Sequence, residues 1–193
     1  MTTIRIVLVA LLVMLAGCGD TPAPVAEQEA AKLQPDEAWP LVWLVEEGSC
    51  QNTETRVLVE NAVNLITWAD PEACELANGA WQSWGRDVQL PLNLTWVVPL
   101  VTPAHAEQHG AKGWTREQKI AFINDRDNLI ILDTVSAKER ADLSPVSWVP
   151  LERFWCEYAS RWQRVKQRYG LSIEEEEGKA LARMLQECPA PTQ

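Results

Sequence analysis

Four of the five cysteines lie well beyond the N-terminal segment that ends at Cys18, and this even number constrains the fold more than any other feature. Ile6 to Leu15 is an almost unbroken apolar run after the single charge of Arg5. It is too short to span a bilayer, which is typical of an export signal. An even number of cysteines in an exported chain predicts disulfide bonds. Three pairings are possible, and proximity favours the two that join neighbours along the chain, Cys50–Cys74 and Cys156–Cys188.

The alternative for these cysteines is a zinc site. The chain has only two histidines and no Cys-x-x-Cys pair, the spacing that structural zinc sites commonly use, so the residues disfavour zinc. Two bridges would each stabilise the fold by roughly 3–4 kcal/mol, because they remove loop-closure entropy from the unfolded chain. We therefore expect a disulfide-bonded domain and no cofactor.

The fifth cysteine ends the export signal. Leu15-Ala16-Gly17-Cys18 resembles a bacterial lipobox, which implies that residues 1–17 are a signal peptide and that Cys18 carries lipid such as palmitate. An ordinary secretory signal followed by a chance cysteine is the alternative. Several acyl chains would hold the protein permanently at a membrane, since each buried methylene contributes roughly 0.8 kcal/mol. Because Gly19 follows the cysteine, we expect a lipoprotein on the periplasmic face of the cell envelope, in the outer rather than the inner membrane.

Composition indicates one folded domain on a tether. Residues 18–38 are rich in Ala, Pro, Gln and Glu and have little to bury, so they are predicted to be a flexible tether to a domain over 39–193. Without the signal the chain keeps 16 Lys and Arg against 27 Asp and Glu, a net charge of −11, which repels nucleic acid at long range. The segment from Lys112 to Arg168 has an excess of cations, which indicates either a modest basic face or a solvated helix surface.

Apolar patterns predict several strands. The run from Asn128 to Asp133 is a buried-strand candidate, and Leu94 to Leu100 is a short strand ended by Pro99. Two glycine-centred turns in 76–90 favour a β-hairpin with an aromatic face formed by Trp81 and Trp84. The spacing in 54–68 fits helix or strand, and 39–45 fits a first strand or a segment that docks on the domain.

Helices are predicted around the strand over 128–133. Thr115 to Gln118 fits a capping box that opens a helix. Apolar side chains at steps of three and four predict an amphipathic helix over 152–169 that ends at Gly170. Ser172 to Glu175 fits the cap of a last helix to about Gln186, and the Cys156–Cys188 bridge would fasten these two helices together.

Three stretches carry a resemblance to a known family: "LTWVVPL" from Leu94, "NDRDNLIIL" from Asn124 and "SPVSW" from Ser144. With them, Leu94 to Cys188 resembles the secreted HNH-family endonucleases of bacteria. A weaker likeness extends the match to about residues 49–188. It implies an α+β fold with an HNH-like ββα-metal core and a disulfide-stapled C-terminal helix pair, and it favours the same cysteine pairing as proximity does.

The chemistry of that family depends on positions that differ here. The family's first strand reads Asp-His, where an acidic or His ligand binds one divalent metal and the adjacent His is the general base. Thr95 and Trp96 occupy those positions; a neutral hydroxyl is a poor ligand and an indole has no basic nitrogen. Asn128 matches a bracing Asn, while Ala137 stands at a later Asn and Arg140 at a Lys. The resemblance thus implies a degenerate site without catalytic residues or metal.

Two histidines follow the first motif and are considered as replacements. His105 and His109 flank Glu107, but we expect both to be surface residues of a polar loop, since such a run is not a recognised ligand set on one helix face. Trp96 is predicted to fill the vacated cleft by packing, with stacking on a base or sugar as the alternative.

Three functions remain open from the sequence. The favoured one is a membrane-anchored lipoprotein with a catalytically inactive HNH-like domain that acts as a binding or interaction module. The second is an active metal-dependent DNA endonuclease with substituted residues and one divalent ion. The third is an envelope structural lipoprotein. The expected partners are the membrane, through the lipid, and a protein or nucleic acid that the sequence does not identify.

Overall fold

The computed structural model describes residues 38–188. The predicted signal peptide, the lipid site at Cys18 and all but the last residue of the predicted tether lie outside the described residues, so the boundaries at 17 and 38 stay predictions. The described part combines helices with short antiparallel strands. The predicted α+β class is therefore confirmed.

Residues 38–188 form six α-helices and six strands. The helices are α1 Thr53–Glu60, α2 Pro103–Ala106, α3 Arg116–Ile123, α4 Thr134–Arg140, α5 Trp155–Arg168 and α6 Glu175–Gln186. The strands are β1 Thr67–Trp68, β2 Leu76–Asn78, β3 Trp81–Gln82, β4 Gln89–Leu90, β5 Thr95–Pro99 and β6 Leu129–Asp133, and they pair antiparallel as β1–β2, β3–β4 and β5–β6. A π-helical turn over Glu107–Ala111 continues α2.

The β5–β6 pair runs through the middle of the core. Its register extends from Thr95 opposite Asp133 to Pro99 opposite Leu129, which confirms both predicted strands to within a residue at each end. All five residues of β6 are buried. Since side chains alternate between the two faces of a strand, Ile130 and Leu132 join one apolar cluster while Leu129 and Ile131 join another.

Helices α5 and α6 cover the larger cluster. Tyr158, Trp162 and Val165 of α5 are fully buried, as the predicted apolar spacing requires. Both predicted disulfides are present, with Cα atoms 5.2 Å apart in Cys50–Cys74 and 5.1 Å apart in Cys156–Cys188. The second bridge joins the start of α5 to the residues just after α6, so the stapled helix pair is confirmed.

One predicted cap is wrong by two residues. The capping box of α6 is formed by Glu174 and Glu177 rather than by Ser172 and Glu175. The reason is that Leu171 is drawn into the core and the Ser172 side chain bonds to His109, so the chain turns helical only afterwards. The capping box of α3, formed by Thr115 and Gln118, is as predicted.

The first part of the domain differs more from expectation. The predicted hairpin is β3–β4, but its two tryptophans form no common face, since Trp81 lies in one apolar cluster and Trp84 in the other. The ambiguous segment from residue 54 is α1 followed by the short strand β1. The segment from Trp39 forms no strand; its indole docks against Trp114 and Phe122 instead.

Candidate functional site

Thr95 and Trp96, the positions where the resemblance expects Asp and His, begin strand β5. The Thr95 hydroxyl donates to the carbonyl of Pro91 at 2.8 Å. The Trp96 side chain is 53% exposed, and its Nε1 donates to Thr134 Oγ1 at 3.0 Å. The prediction that Trp96 fills a cleft by packing is therefore wrong. Helix α4 starts directly after β6 and meets the indole with its first residue, so the ring is held at the rim of the core.

The three other motif positions lie along α4 and at the far end of the hairpin. Asn128 is fully buried; its side chain accepts from the Val101 amide at 2.7 Å and donates to the carbonyls of Val101 and Phe122 at 3.2 Å. It ties the chain after β5 to the end of α3, as a bracing residue would. Ala137 packs against the larger cluster. Arg140 is buried and donates to the carbonyl of Leu100, so its charge is not offered to solvent.

Asp133 is a buried carboxylate at the Thr95 end that sequence reasoning counted only as part of a strand. It accepts from the hydroxyls of Ser83 at 2.8 Å and Ser136 at 2.6 Å, and from the amides of Val135 and Ser136 at the start of α4. Burial would raise its pKa, but these bonds and nearby Arg86 outweigh burial and lower the pKa to about 2. With its lone pairs occupied in this way, Asp133 caps α4 and joins it to the β3–β4 loop.

A second polar cluster lies beyond the other end of β5. His105, His109 and Glu177 each present a ligand-type atom, and these atoms lie within 4.8 Å of one another. The two histidines are four residues apart across the junction of α2 and the π-helical turn, and their rings stack at 4.1 Å. Both are buried, at 6% and 9% exposure. The prediction that they are surface residues of a polar loop is therefore wrong.

Glu177 reaches this cluster from α6 and is held as an ion. Lys166, which is fully buried, places its Nζ 2.8 Å from the carboxylate, and the indole of Trp162 donates to it as well. Burial would raise the pKa of Glu177, but the facing His105, Lys166 and Trp162 outweigh burial and lower the pKa to about 2. The pKa of Lys166 is lowered by burial despite the carboxylate.

The histidines differ in their contacts. His105 Nε2 lies 3.7 Å from Glu177 Oε1, beyond hydrogen-bond distance, and is buried without a hydrogen-bond partner among the described residues. His109 Nδ1 contacts the hydroxyl of Ser172 at 3.3 Å, and that hydroxyl also donates to the His109 carbonyl. Burial, with Lys166 and His105 nearby, lowers the pKa of His109, so the ring is neutral at neutral pH.

Sequence reasoning missed this cluster because its third member is remote. Glu107, the acidic residue between the histidines, points elsewhere and accepts from the Trp39 indole at 2.8 Å. Glu177 lies on a different helix, and only the packing of α6 brings it in. The spacing of four between the histidines, just after Thr102 and Pro103 begin a helix, was the one local signal.

Several cations of the basic face considered for residues 112–168 bond to carbonyls and carboxylates of the protein itself. Arg161 and Lys166 are buried, and Arg161 donates to backbone carbonyls around Asp127. Arg168 bonds to the carboxylates of Asp125 and Asp127. The excess of cations in this segment thus stabilises helix packing. The net positive charge of the segment does not by itself make a surface that binds nucleic acid.

These features define a small disulfide-bonded α+β protein built around the antiparallel β5–β6 strand pair, with a C-terminal helix pair. The chain is 32% identical over 156 residues to an uncharacterized secreted protein of Arthroderma benhamiae, a match that covers 76% of this chain and 72% of that protein. The chain belongs to the same family as that secreted protein. A comparison with protein-family models found no match, and neither did a comparison with solved structures. Within residues 38–188, no helix has the length and apolar character that crossing a membrane requires.

Proposed function

We propose that this protein is a membrane-anchored lipoprotein whose domain is an inactive HNH endonuclease-like module that binds a partner. The observation that carries the proposal is the start of β5, where Thr95 and the half-exposed Trp96 stand at the positions of a metal ligand and a general base. Phosphodiester cleavage by this chemistry needs an activated water, a proton acceptor and a cation. Neither side chain supplies any of the three.

The elements around these residues support the proposal that the scaffold of an HNH-like domain is present without its metal ligands. Strand β6 pairs antiparallel with β5 and is followed directly by α4, so two paired strands and a helix are present as in a ββα core, although α2 and α3 lie between the two strands in the chain. Asn128 occupies the bracing position with three side-chain bonds, and Ala137 of α4 stands where a ligand would be expected. A fold that keeps its braces after losing its ligands fits a protein selected for binding.

Relocation of the catalytic residues to His105 or His109 is disfavoured by position. Strand β5 has five residues and spans roughly 14 Å at 3.4 Å per step. Thr95 stands at its first residue, and both histidines follow its last. The histidines contact Glu177 and Ser172 rather than Thr95 or Trp96, so they do not complete the site at Thr95.

The binding surface we propose includes Trp96. An exposed indole that keeps its N–H bonded offers a flat apolar face, the kind of side chain that dominates protein interfaces and stacks on nucleic-acid bases. Leu94, just before β5, and Val135, in the first turn of α4, are also exposed. The net charge of −10 repels nucleic acid, so we favour a protein as the partner.

Restoration of the lost residues tests the inactive-nuclease proposal. The triple variant Thr95→Asp, Trp96→His and Ala137→Asn should gain Mn²⁺ binding and DNA nicking if the hairpin and α4 have kept the shape of the site. The matched control is Thr95→Ser, Trp96→Phe and Ala137→Ser, which alters the same positions without adding ligands. Mn²⁺-dependent DNA cleavage by the wild-type protein would overturn the proposal.

The anchor is tested separately by fractionation. A lipoprotein secured through Cys18 should be found in the membrane pellet after a high-salt wash, and Cys18→Ser should move it to the soluble fraction. The secreted relative and the two disulfides agree with export but do not distinguish lipidation from ordinary secretion. Retention of Cys18→Ser in the pellet at high salt would contradict the lipid anchor.

A further inference from the structure

We propose that His105, His109 and Glu177 bind one divalent transition-metal ion, with Zn²⁺ as the probe, where α2 and its π-helical turn meet α6. This site is independent of the hairpin end considered above, and it does not rest on the nuclease resemblance. Two imidazoles and one carboxylate are a ligand set that suits Zn²⁺ and neighbouring transition ions, whereas Mg²⁺ and Ca²⁺ prefer oxygen alone.

The spacing of the ligand atoms is close to that of a coordinated ion. All three lie within 4.8 Å of one another. Zinc takes its nitrogen and oxygen ligands at roughly 2.0–2.2 Å, so ligand atoms around one tetrahedral ion are about 3.5 Å apart. The His105 Nε2 to Glu177 Oε1 distance of 3.7 Å already fits, and the remaining separations need a contraction of about an ångström.

An unpaired nitrogen points into the site. His105 is 94% buried, given its exposure of 6%, and its Nε2 lacks a hydrogen-bond partner within the described residues. A buried polar atom left unpaired destabilises the folded state. Glu177 Oε1 lies 3.7 Å away, too far for a hydrogen bond, so an ion bound by both atoms would give His105 Nε2 the partner that it lacks.

Hydrogen bonds to Ser172 fix the tautomer of the partner histidine. The Ser172 hydroxyl has one hydrogen, which it donates to the His109 carbonyl, so it accepts from Nδ1–H of the same residue. This assigns the Nδ1–H tautomer and leaves the lone pair on His109 Nε2. A second hydrogen bond that fixes the tautomer of a histidine is the usual support of a metal ligand. Ser172 itself is exposed, which gives an ion a route from solvent.

Lys166 competes with a metal ion for the Glu177 carboxylate, and this competition gives the proposal a specific test. Its ammonium group is 2.8 Å from the Glu177 carboxylate, so it already neutralises the charge that a metal would use. Its second bond, to the Ser172 carbonyl at 2.7 Å, keeps it in place. Removal of this cation should therefore strengthen metal binding, even though it weakens the fold. A purely structural role of the cluster gives no reason for any such increase.

The experiment is calorimetric titration of the untagged, full chain with Zn²⁺, supported by visible absorbance with Co²⁺. We expect one equivalent to bind, His109→Gln to weaken binding by at least about tenfold, and Lys166→Gln to tighten it. Arg164→Gln, which removes an exposed cation of the same helix, is the matched control and should leave the affinity unchanged. Circular dichroism of each metal-free variant checks the fold.

The proposal fails if the wild-type chain binds no single equivalent of either ion, or if His109→Gln keeps the wild-type affinity. It also fails if Lys166→Gln is folded and binds more weakly. Should Lys166→Gln not fold, His109→Gln still decides, because its loss removes a ligand and leaves the Lys166–Glu177 ion pair intact.

Discussion

The two ends of the β5–β6 hairpin hold polar groups in different ways. At the Thr95 end, the positions expected to hold a metal carry a bonded hydroxyl and an indole that is 53% exposed, and the one buried carboxylate, Asp133, is saturated by donors. Beyond the other end, two histidines and Glu177 are buried together, and one ring nitrogen is left without a partner among the described residues.

The end of the strand pair that resembles a catalytic site is not the end that has ligand-type side chains. The end that resembles a catalytic site has residues that neither coordinate metal ions nor accept protons. The end without any motif has ligand-type atoms in the protonation states that metals require, since Glu177 is ionised and His109 is neutral at neutral pH. The resemblance therefore predicts where a site would lie, and the side chains present decide whether that position has the groups that bind an ion.

The largest expected effect comes from the buried ion pair. Glu177→Gln should destabilise the protein by roughly 3–5 kcal/mol, because it leaves Lys166 as an uncompensated buried charge. Urea unfolding measures the change. Glu176→Gln, on the same helix but exposed, and Trp96→Ala at the opposite end should both have much smaller effects. Equal losses in all three variants would mean that the two ends do not differ in the way described.

The next effect concerns the brace Asn128, which lies at the Pro99 end of the strand pair. Asn128→Ala should cost about 2–3 kcal/mol, because the buried amide of Val101 loses its acceptor and two carbonyls lose a donor. Asn93→Ala, an exposed position just before β5, is the control and should be nearly neutral. A loss below about 0.5 kcal/mol for Asn128→Ala would show that this residue is not a structural brace.

A smaller effect is expected from acid titration of the histidine pair, measured with a chelator present. The pKa of His109 is lowered in the folded protein by burial first, then by Lys166 and His105, so the unfolded chain takes up a proton more readily. Stability is therefore complete above the ordinary His value of about 6.5 and declines as pH falls below it. His109→Gln should flatten the decline below about pH 6.5.

If the slope of the unfolding free energy against pH were unchanged in His109→Gln, His109 would not be the group responsible for the decline.

Glu177 contributes to stability in a lower pH range, since its pKa is lowered to about 2 from 4.5. Its stabilisation is complete above 4.5 and is lost as pH falls from there towards about 2. The two groups can therefore be distinguished in one pH series of unfolding curves.

Local patterns predicted the elements better than the sites. The apolar run after Asn128 and the spacing in 152–169 located β6 and α5, because burial on both faces or on one face leaves a direct record in the sequence. Proximity of the cysteines located both bridges. The cap of α6 was misplaced, since two overlapping matches exist and tertiary contacts of Leu171 and Ser172 select the second.

The sites depended on contacts that no local pattern records. Whether Trp96 packs or remains exposed is decided by where α4 begins, and Glu177 meets His105 only because α5 and α6 pack side by side. Asp133 ended an apolar run and so was assigned to a strand, although a carboxylate just before Thr134 is also the signal of a helix cap. Residues that act through distant partners were thus the ones missed.

A DNA-cleavage assay on the purified wild-type chain decides most directly whether the Thr95 end is inactive. Plasmid and single-stranded DNA are incubated separately with Mg²⁺, Mn²⁺, Ca²⁺ and Zn²⁺, beside the triple variant that restores the ligands at that end. We expect no cleavage above background by the wild-type chain with any ion. Metal-dependent cleavage by the wild-type chain that is abolished by His105→Ala or His109→Ala would contradict the inactive-nuclease proposal and place an active site at the histidine cluster.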